Sequence, residues 1–311
     1  MFPVQCCSLR PDGSKEAERL YRRLQAEPNR HSLLKAHLTR ERLDSHKKIK
    51  TKFGGTLAHC IRSGCLNTDS PVGIYASDPD AYKTFCDLFL PIIKDYHEVN
   101  EVNHSSKDFG AKSIIQEIFE LDNDRIESTR VSVARSLEGL PFPPLLTLEK
   151  REKLENMSKA ALRELRGELM GAYFSLATLT PVMTKRLDRR NLLFTNNDRF
   201  LEAAGAYKQW PDARGIYCNE NKTFVAWVNE SDHLRLISQA PGGDLKKAYL
   251  KLVNGVKQLE NNGLRFVWKE NLGDTSQRLR NEILMWLIVP QASLDPWPKA
   301  HSEYLINKYD S

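Results

Sequence analysis

The stretch G-I-Y-C-N-E-N-K-T-F-V-A-W-V-N-E-S-D-H-L-R-L-I-S-Q-A-P-G-G-D-L, residues 215–245, constrains the fold of this chain more than any other. Thr223 to Val228 clusters and alternates apolar residues as a strand with a buried face does. A polar knot, Asn229-Glu230-Ser231-Asp232-His233, breaks the run, and Leu234 to Ile237 resumes it around Arg235. Two strand-like runs, 215–228 and 234–238, predict antiparallel neighbours in a sheet. The knot and the arginine raise a question: what do polar groups bind in the middle of an apolar hairpin? Beyond them the turn Pro241-Gly242-Gly243 leads to Asp244, which caps a helix striped with Leu245, Ala248, Leu252, Val256 and Leu259.

Upstream the pattern is helical. Ser14 is placed to cap a helix carrying Ala17, Leu20, Tyr21 and Leu24, and Leu33, Leu34 and Leu38 mark the next. Gly54-Gly55, Gly64 and Asp69-Ser70-Pro71 punctuate the chain, which makes Ser70 to Tyr75 a loop between short helices. Helical spacing returns from Asp80 to Tyr96. Residues 98–112 are polar and read as part of a linker. After it, Ser128 to Ser136 reads as a strand, Pro141 to Pro144 blocks regular structure, and 149–170 reads as one long amphipathic helix through Leu154, Met157, Ala161, Leu165 and Leu169. The expected fold class is α+β. A small helical domain (11–97) precedes a linker (98–124), an α+β domain (125–275) and a divergent tail (276–311).

Composition removes several function classes. The longest apolar run, Ile283 to Val289, is far short of the roughly 20 residues of a membrane span. The N-terminus lacks the basic-then-apolar pattern of a secretory signal, so the chain reads as cytosolic. Its 6 cysteines (Cys6, Cys7, Cys60, Cys65, Cys86, Cys218) show neither C-x-x-C pairing nor a histidine at ligand spacing. They read as reduced thiols, and no metal site is expected. Residues 1–60 carry 13 Lys and Arg against 6 Asp and Glu. With no nucleic-acid motif beside them, these charges read as a solvated helix face.

The motifs are more specific than the composition. S-T-R-V-S-V-A-R-S-L-E-G-L-P-F-P-P (128–144) resembles the S-T-R-V-R-C-G-R-S segment of phosphagen kinases, and the 215–245 stretch is similar to their G-I-x-H-N-x-x-K-T-F-x-V-W-V-N-E-E-D-H-L-R segment. D-S-P-V-G-I-Y-A (69–76) and D-L-F-L-P-I-I-K-D-Y-H (87–97) match the arginine kinase branch. The resemblance runs near-continuously from about residue 16 to 262. It implies a small helical domain followed by an antiparallel sheet flanked by helices. It also implies reversible transfer of the γ-phosphoryl of Mg-ATP to the guanidinium of L-arginine or another small guanidine. Such transfer rests on in-line positioning and charge neutralisation, for which arginine forks suit phosphate. The resemblance places ATP contacts at Ser128, Thr129, Arg130, Val131, Ser132, Asn191 and Arg235. It places the guanidino loop at Ser70, Val72, Gly73 and Tyr75, and implies magnesium held through the nucleotide. No membrane or nucleic-acid partner is implied, and oligomeric state is left open.

The chain departs from the pattern where chemistry matters. The second arginine of S-T-R-V-R is Ser132, although Arg135 matches a further family arginine. The nucleotide-side histidine is Asn191, and a second family histidine is Cys218. The catalytic glutamate, four residues before Arg235, is Ser231, while Glu230 remains; on a strand these two neighbours point to opposite faces. Val267 stands for the reactive cysteine, Arg278 lies out of register with a phosphate arginine, and 276–311 shows no resemblance. In the guanidino loop Pro71 replaces a glycine and removes a backbone N–H. Losing one preorganised charge-stabilising group costs about 2.7–4 kcal/mol, and such losses are not additive. Three readings stay open here: a guanidino kinase of reduced or lost activity, a nucleotide-binding or regulatory pseudokinase, and a chain whose C-terminus derives from a shifted frame or exon. Ile283 to Val289 either fills a sheet edge or is exposed and aggregation-prone.

Overall fold

The computed structural model of the protein describes residues 13–27, 31–101 and 126–269, with the backbone of three further strands at 273–274, 284–288 and 303–305. Among these residues the first part of the chain is helical: α1 (Gly13–Gln25), α2 (Leu33–His37), α3 (Arg40–His46), α4 (Leu57–Leu66), α5 (Ala81–Thr84) and α6 (Cys86–His97). α1 buries Ala17, Leu20 and Leu24, the i, i+3, i+7 face that the sequence pattern predicts. It already begins at Gly13, so Ser14 sits within its first turn and is not its cap. Ser32 and Thr39 cap α2 and α3, their hydroxyls accepting from the N–H of Lys35 and Arg42. The helix expected over 80–96 is split at Phe85, which leaves helical geometry at φ −115°, ψ 34°. Phe85 is fully buried, edge-on to His46 with ring centroids 5.7 Å apart. Packing of one aromatic there outweighs helix continuity.

The second part follows as β1 (Ser128–Arg135), α7 (Leu148–Arg163), β2 (Gly171–Ser175), α8 (Pro181–Asp188), α9 (Arg199–Ala204), β3 (Gly215–Asn219), β4 (Phe224–Val228), β5 (Leu234–Pro241) and α10 (Leu245–Asn261). β6 (Trp268–Lys269) and β7 (Gly273–Asp274) form a small ribbon, and β8 (Leu284–Ile288) and β9 (Glu303–Leu305) return to the main sheet. α7 stops at Arg163, short of the 170 expected. A short 3₁₀ turn, Gly167–Leu169, follows with Gly167 at φ +63°, a backbone conformation that an α-helix cannot contain. Leu165 and Leu169 remain buried, while Met157 is exposed and belongs to no core.

Among the described residues the main sheet has 7 strands in the order β2-β3-β4-β5-β1-β8-β9, each neighbouring pair antiparallel. β8 lies on the outer side of β1, pairing Ser128 with Ile288 and Ser132 with Leu284. The backbone of 284–288, within the apolar run, therefore covers the edge of β1. A strand at that place satisfies the N–H and C=O groups that β1 would otherwise leave unpaired. One face of the sheet, carrying Val131, Val133, Phe224, Ala226, Val228, Leu234 and Leu236, packs on α7 and α10. The opposite face carries Ile216, Cys218, Val225, Ile237 and, at its rim, Trp227. The helical part has its own core, from Ala17 to Ile93, which Phe142 enters from the second part. The linker expected at 98–124 and most of the tail at 276–311 lie outside the described residues. Cys60, Cys65, Cys86 and Cys218 are not joined in disulfides among the described residues, and Cys6 and Cys7 fall outside the description. Among the described residues no helix is long and apolar enough to cross a membrane.

Candidate active site

The hairpin β4–β5 builds the site. Asn229 takes φ +59°, turning the chain out of β4, and its N–H donates to His233 O at 3.0 Å. Its side chain donates to Arg151 O at 3.1 Å and Ala213 O at 2.7 Å. The knot is thus a pinned bend outside the strands, and alternation does not apply within it. This corrects the expectation that Glu230 and Ser231 point apart. Ser231 Oγ donates a short hydrogen bond to Glu230 Oε2, and its Oγ lies 3.3 Å from Asp232 Oδ2. Arg235 Nη2 donates to Ser231 Oγ at 3.4 Å. The same guanidinium is ion-paired with Glu230 (3.6 Å) and Asp232 (3.5 Å). All three carboxylate and hydroxyl groups of the knot face one arginine.

A second arginine stands nearby. In the antiparallel register Ala134, Arg235 and Trp227 lie side by side on one face, and Arg130 and Ser132 share that face by the period of 2 along β1. Arg130 stacks on the Trp227 ring, its guanidinium carbon 5.6 Å from the centroid, and Nη1 donates to Asn191 O at 3.0 Å. Its Nε is buried with no hydrogen-bond partner, as is that of Arg235. Burial, and then the charge of Arg235, lower Arg130 to a pKa of about 10. At neutral pH two desolvated cations therefore sit close together, and among the described residues Arg130 has no carboxylate partner. That is an environment in which an anion is stabilised.

The other expected nucleotide contacts divide by face. Thr129 donates to Gly242 O at 2.8 Å and Val131 is in the core against α10, so their side chains turn away from Arg130. Ser128 and Ser132 share its face. Asn191, at φ +52°, meets Arg130 through its backbone carbonyl, a contact that any residue could make. Val267 is at the foot of this part, its N–H donating to Ser136 O at 2.8 Å.

The guanidino loop is held from both sides. The carbonyls of Pro71 and Val72 accept from Leu33 N–H and Leu34 N–H at 2.9 Å each. Both contacts use carbonyls, so the N–H that Pro71 lacks is not needed for them. Gly73, at φ +85°, lies against Gly64, where an added Cβ would meet Gly73 O at 2.0 Å. Ser70 is buried. Tyr75 packs on the Leu201–Ala206–Tyr207 cluster of the second part. Asp69, just before the loop, is ion-paired with Arg199 of α9. The knot reaches back toward the helical part. His233 meets Phe142 edge-on at 6.2 Å, and burial, then the charge of Asp232, push the Tyr82 phenol up. Knot and loop thus both border the junction of the two parts. His233 is locked there, with Nδ1 accepting from Leu137 N–H (2.9 Å) and Nε2 donating to Pro141 O (2.8 Å).

Residues 153–281 match the C-terminal catalytic domain of the ATP:guanido phosphotransferases, and residues 28–94 match the N-terminal domain of the same family. The chain belongs to the ATP:guanido phosphotransferase family. It is 51% identical over 259 residues to arginine kinase Oct f 2 of Amphioctopus fangsiao, covering 83% of this chain and 74% of that protein. To the arginine kinase of Liolophura japonica it is 48% identical over 255 residues, covering 82% and 73%. Among solved structures it superposes on the duplicated taurocyamine kinase of Schistosoma mansoni with a TM-score of 0.81 at 32% identity, covering 88% of this chain and 39% of that one. On lombricine kinase the TM-score is 0.78 at 27% identity, covering 89% and 79%. The chain is therefore an arginine kinase-like phosphagen kinase by family. Sequence reasoning missed three groups that the structure adds to the site: Trp227 under Arg130, Asp232 on Arg235, and His233 as the brace of the knot. Trp227 and the knot stand in the quoted motif, but their meeting with Arg130 and Arg235 depends on register. Among the described residues no three His, Cys, Asp or Glu side chains converge as metal ligands.

Proposed function

We propose that this chain binds Mg-ATP and a small guanidine, L-arginine first, as its arginine kinase relatives are named for. We propose further that its own phosphoryl transfer is reduced or lost because Ser231 stands where the transfer needs a carboxylate. The observation that carries the reading is the pair Arg130 and Arg235 on one sheet face: Arg235 is ion-paired with Glu230 and Asp232, whereas Arg130 is desolvated, has a buried Nε without a hydrogen-bond partner, and has no carboxylate partner among the described residues. Their forks would hold phosphate oxygens bidentately, with Arg130 stacked on the Trp227 ring. Magnesium would enter with the nucleotide and neutralise its phosphate charge. The loop Ser70–Tyr75 would present the guanidine from the other side of the junction. Glu230 is the carboxylate left to orient it, yet that group is taken up by the Ser231 hydroxyl and Arg235.

That engagement favours a second reading, a nucleotide-binding or regulatory partner without turnover. One experiment separates the two. The purified chain is titrated with a non-hydrolysable ATP analogue by calorimetry, and phosphoryl transfer from Mg-ATP to L-arginine is assayed on the same sample. Analogue binding with turnover at least a hundredfold below an arginine kinase relative is the expected outcome. Undetectable turnover with binding intact selects the partner role. No nucleotide binding by a cooperatively melting protein refutes both.

A further inference from the structure

Four cations on the outer face of α8 form a site that the phosphotransferase reading does not use. Val182, Lys185 and Arg186 lie on one face of α8 by i, i+3, i+4 spacing, and Arg189, its C-cap, and Arg190, in the turn that follows, continue the same stripe. They line a surface depression of about 390 Å³. The opposite face anchors the helix, with Leu187 fully buried in the sheet-face cluster and Met183 packed against it. The stripe therefore points outward, and the turn after α8 fixes its last two members. Arg189 N–H donates to Lys185 O at 3.1 Å, Arg190 N–H to Leu187 O at 3.1 Å, and Asn191 N–H to Asp188 O at 2.8 Å.

A solvated helix face normally mixes its charges, and this chain does so elsewhere. On α1, Arg19 pairs with Glu16 and Arg22 with Glu18; on α3, Arg40 and Lys47 pair with Asp44. None of the four cations on α8 has an ion-pair partner among the described residues. Cations are favoured near a helix C-terminus, but that end carries only about half a negative charge. Together with Asp188 it offsets less than half of the stripe. Lys185 and Arg186 in α8 and Arg189 and Arg190 just after it are four like charges within two turns of chain, with Asp188 as the one acidic residue between them.

We propose that the outer face of α8 binds a compact soluble polyphosphate through Lys185, Arg186, Arg189 and Arg190. Three of the four are arginines, whose planar forks match phosphate oxygens. Each phosphate group brings about −1.5 to −2 charge, so two or three of them neutralise the stripe within the depression. A carboxylate ligand would need about four groups for the same charge. A long nucleic acid would need a basic track longer than one short helix.

Arg190 is one residue from Asn191, whose carbonyl Arg130 holds, so the test must separate this site from the nucleotide arginines. The full chain is titrated with inorganic tripolyphosphate by calorimetry, beside a triple variant Arg186→Gln, Arg189→Gln, Arg190→Gln and a single variant Arg130→Gln. The three stripe arginines are exposed, so the triple variant is expected to melt within a few degrees of the parent. Lys185→Gln with Arg189→Gln serves as a milder second variant. Tripolyphosphate affinity is expected to fall at least tenfold in the triple variant, to fall less in the milder one, and to persist in Arg130→Gln. Unchanged affinity in the triple variant overturns the proposal. So does binding lost in Arg130→Gln and kept in the triple variant, which would place the anion in the nucleotide site. Vesicles containing a phosphoinositide provide the third arm. Stripe-dependent pelleting with vesicles, in the absence of tripolyphosphate binding, overturns the soluble ligand in favour of a lipid headgroup.

Discussion

A carboxylate can hold a guanidinium in place and take up a proton from it; a serine hydroxyl carries no charge to pair with the guanidinium and has a proton of its own to donate. At position 231 that proton goes to Glu230, so the hydroxyl occupies the neighbouring carboxylate as well as failing to supply its own. Replacing Ser231 by Glu is expected to raise phosphoryl transfer to L-arginine by on the order of a hundredfold, the scale of one preorganised electrostatic group. Turnover that stays flat in a folded Ser231→Glu protein would mean that the limitation lies elsewhere, at Ser132 or beyond residue 269. Arg130 makes the complementary case. Its charge is desolvated and faces no carboxylate among the described residues, so on the proposed function it should contribute to ligand binding more than to stability. Arg130→Gln should weaken an ATP analogue about tenfold to a hundredfold, the worth of one charge-assisted hydrogen bond of about 1.5–3 kcal/mol. Its melting temperature should be unchanged or higher. Calorimetry and a thermal melt on one sample check both halves.

At the scale of elements, the β4–β5 connection is braced by a histidine that must stay neutral. Burial first, and Arg151 in addition, lower His233 from 6.5 to about 4, against the opposing pull of Pro141 O. As pH falls through 6.5 the unfolded chain takes up a proton that the folded chain refuses. The brace is therefore fully stabilising above about pH 6.5, and its contribution is lost progressively toward pH 4. The shift corresponds to about 3 kcal/mol. Urea unfolding of the parent should lose stability across pH 6.5–4 more steeply than that of His233→Gln; parallel profiles would show that His233 does not titrate this way. The guanidino loop has a similar dependence on one close approach. Gly64→Ala would push a methyl to within 2.0 Å of Gly73 O, and both partners are buried backbone. A loss of about 1–3 kcal/mol is expected, as for an overpacked core, together with a weaker guanidine site. An alanine variant that melts with the parent would show that the two elements separate freely.

For the whole molecule, the sheet depends on a segment that shares no motif with the family. β8 lies between β1 and β9, so a proline at Trp286, which pairs with Arg130 on one side and Glu303 on the other, removes the ladder hydrogen bond of its one N–H and puts a ring into a strand that has neighbours on both sides. The Trp286→Pro protein should melt several degrees lower and aggregate on heating, as light scattering would record, because the edge of β1 is then poorly covered. Identical melting of variant and parent would mean that residues 284–288 contribute nothing to the folded sheet.

The residues themselves determined much of this. Alternation over 223–237, the helix stripe after Asp244 and the apolar face of α1 are local patterns, and each became the element it predicted because burial of one face is what stabilises it. The family motifs and their departures at Ser132, Asn191, Ser231 and Val267 are equally local. β2, α8 and α9 were not legible. α8 and α9 have 8 and 6 residues, fewer than a periodicity needs to declare itself, and β2 is a half-exposed edge strand. Nor could the chain say that the knot bends, that Glu230, Ser231 and Asp232 turn to one arginine, or that Trp227 lies under Arg130. Those contacts join residues on different strands, and only the strand register fixes which side chains share a face. The sequence singled out Arg130, Arg235 and Ser231 as the positions where phosphate arginines and a glutamate are expected; the tertiary structure decided what each of them touches, because desolvation and charge act through space and not along the chain.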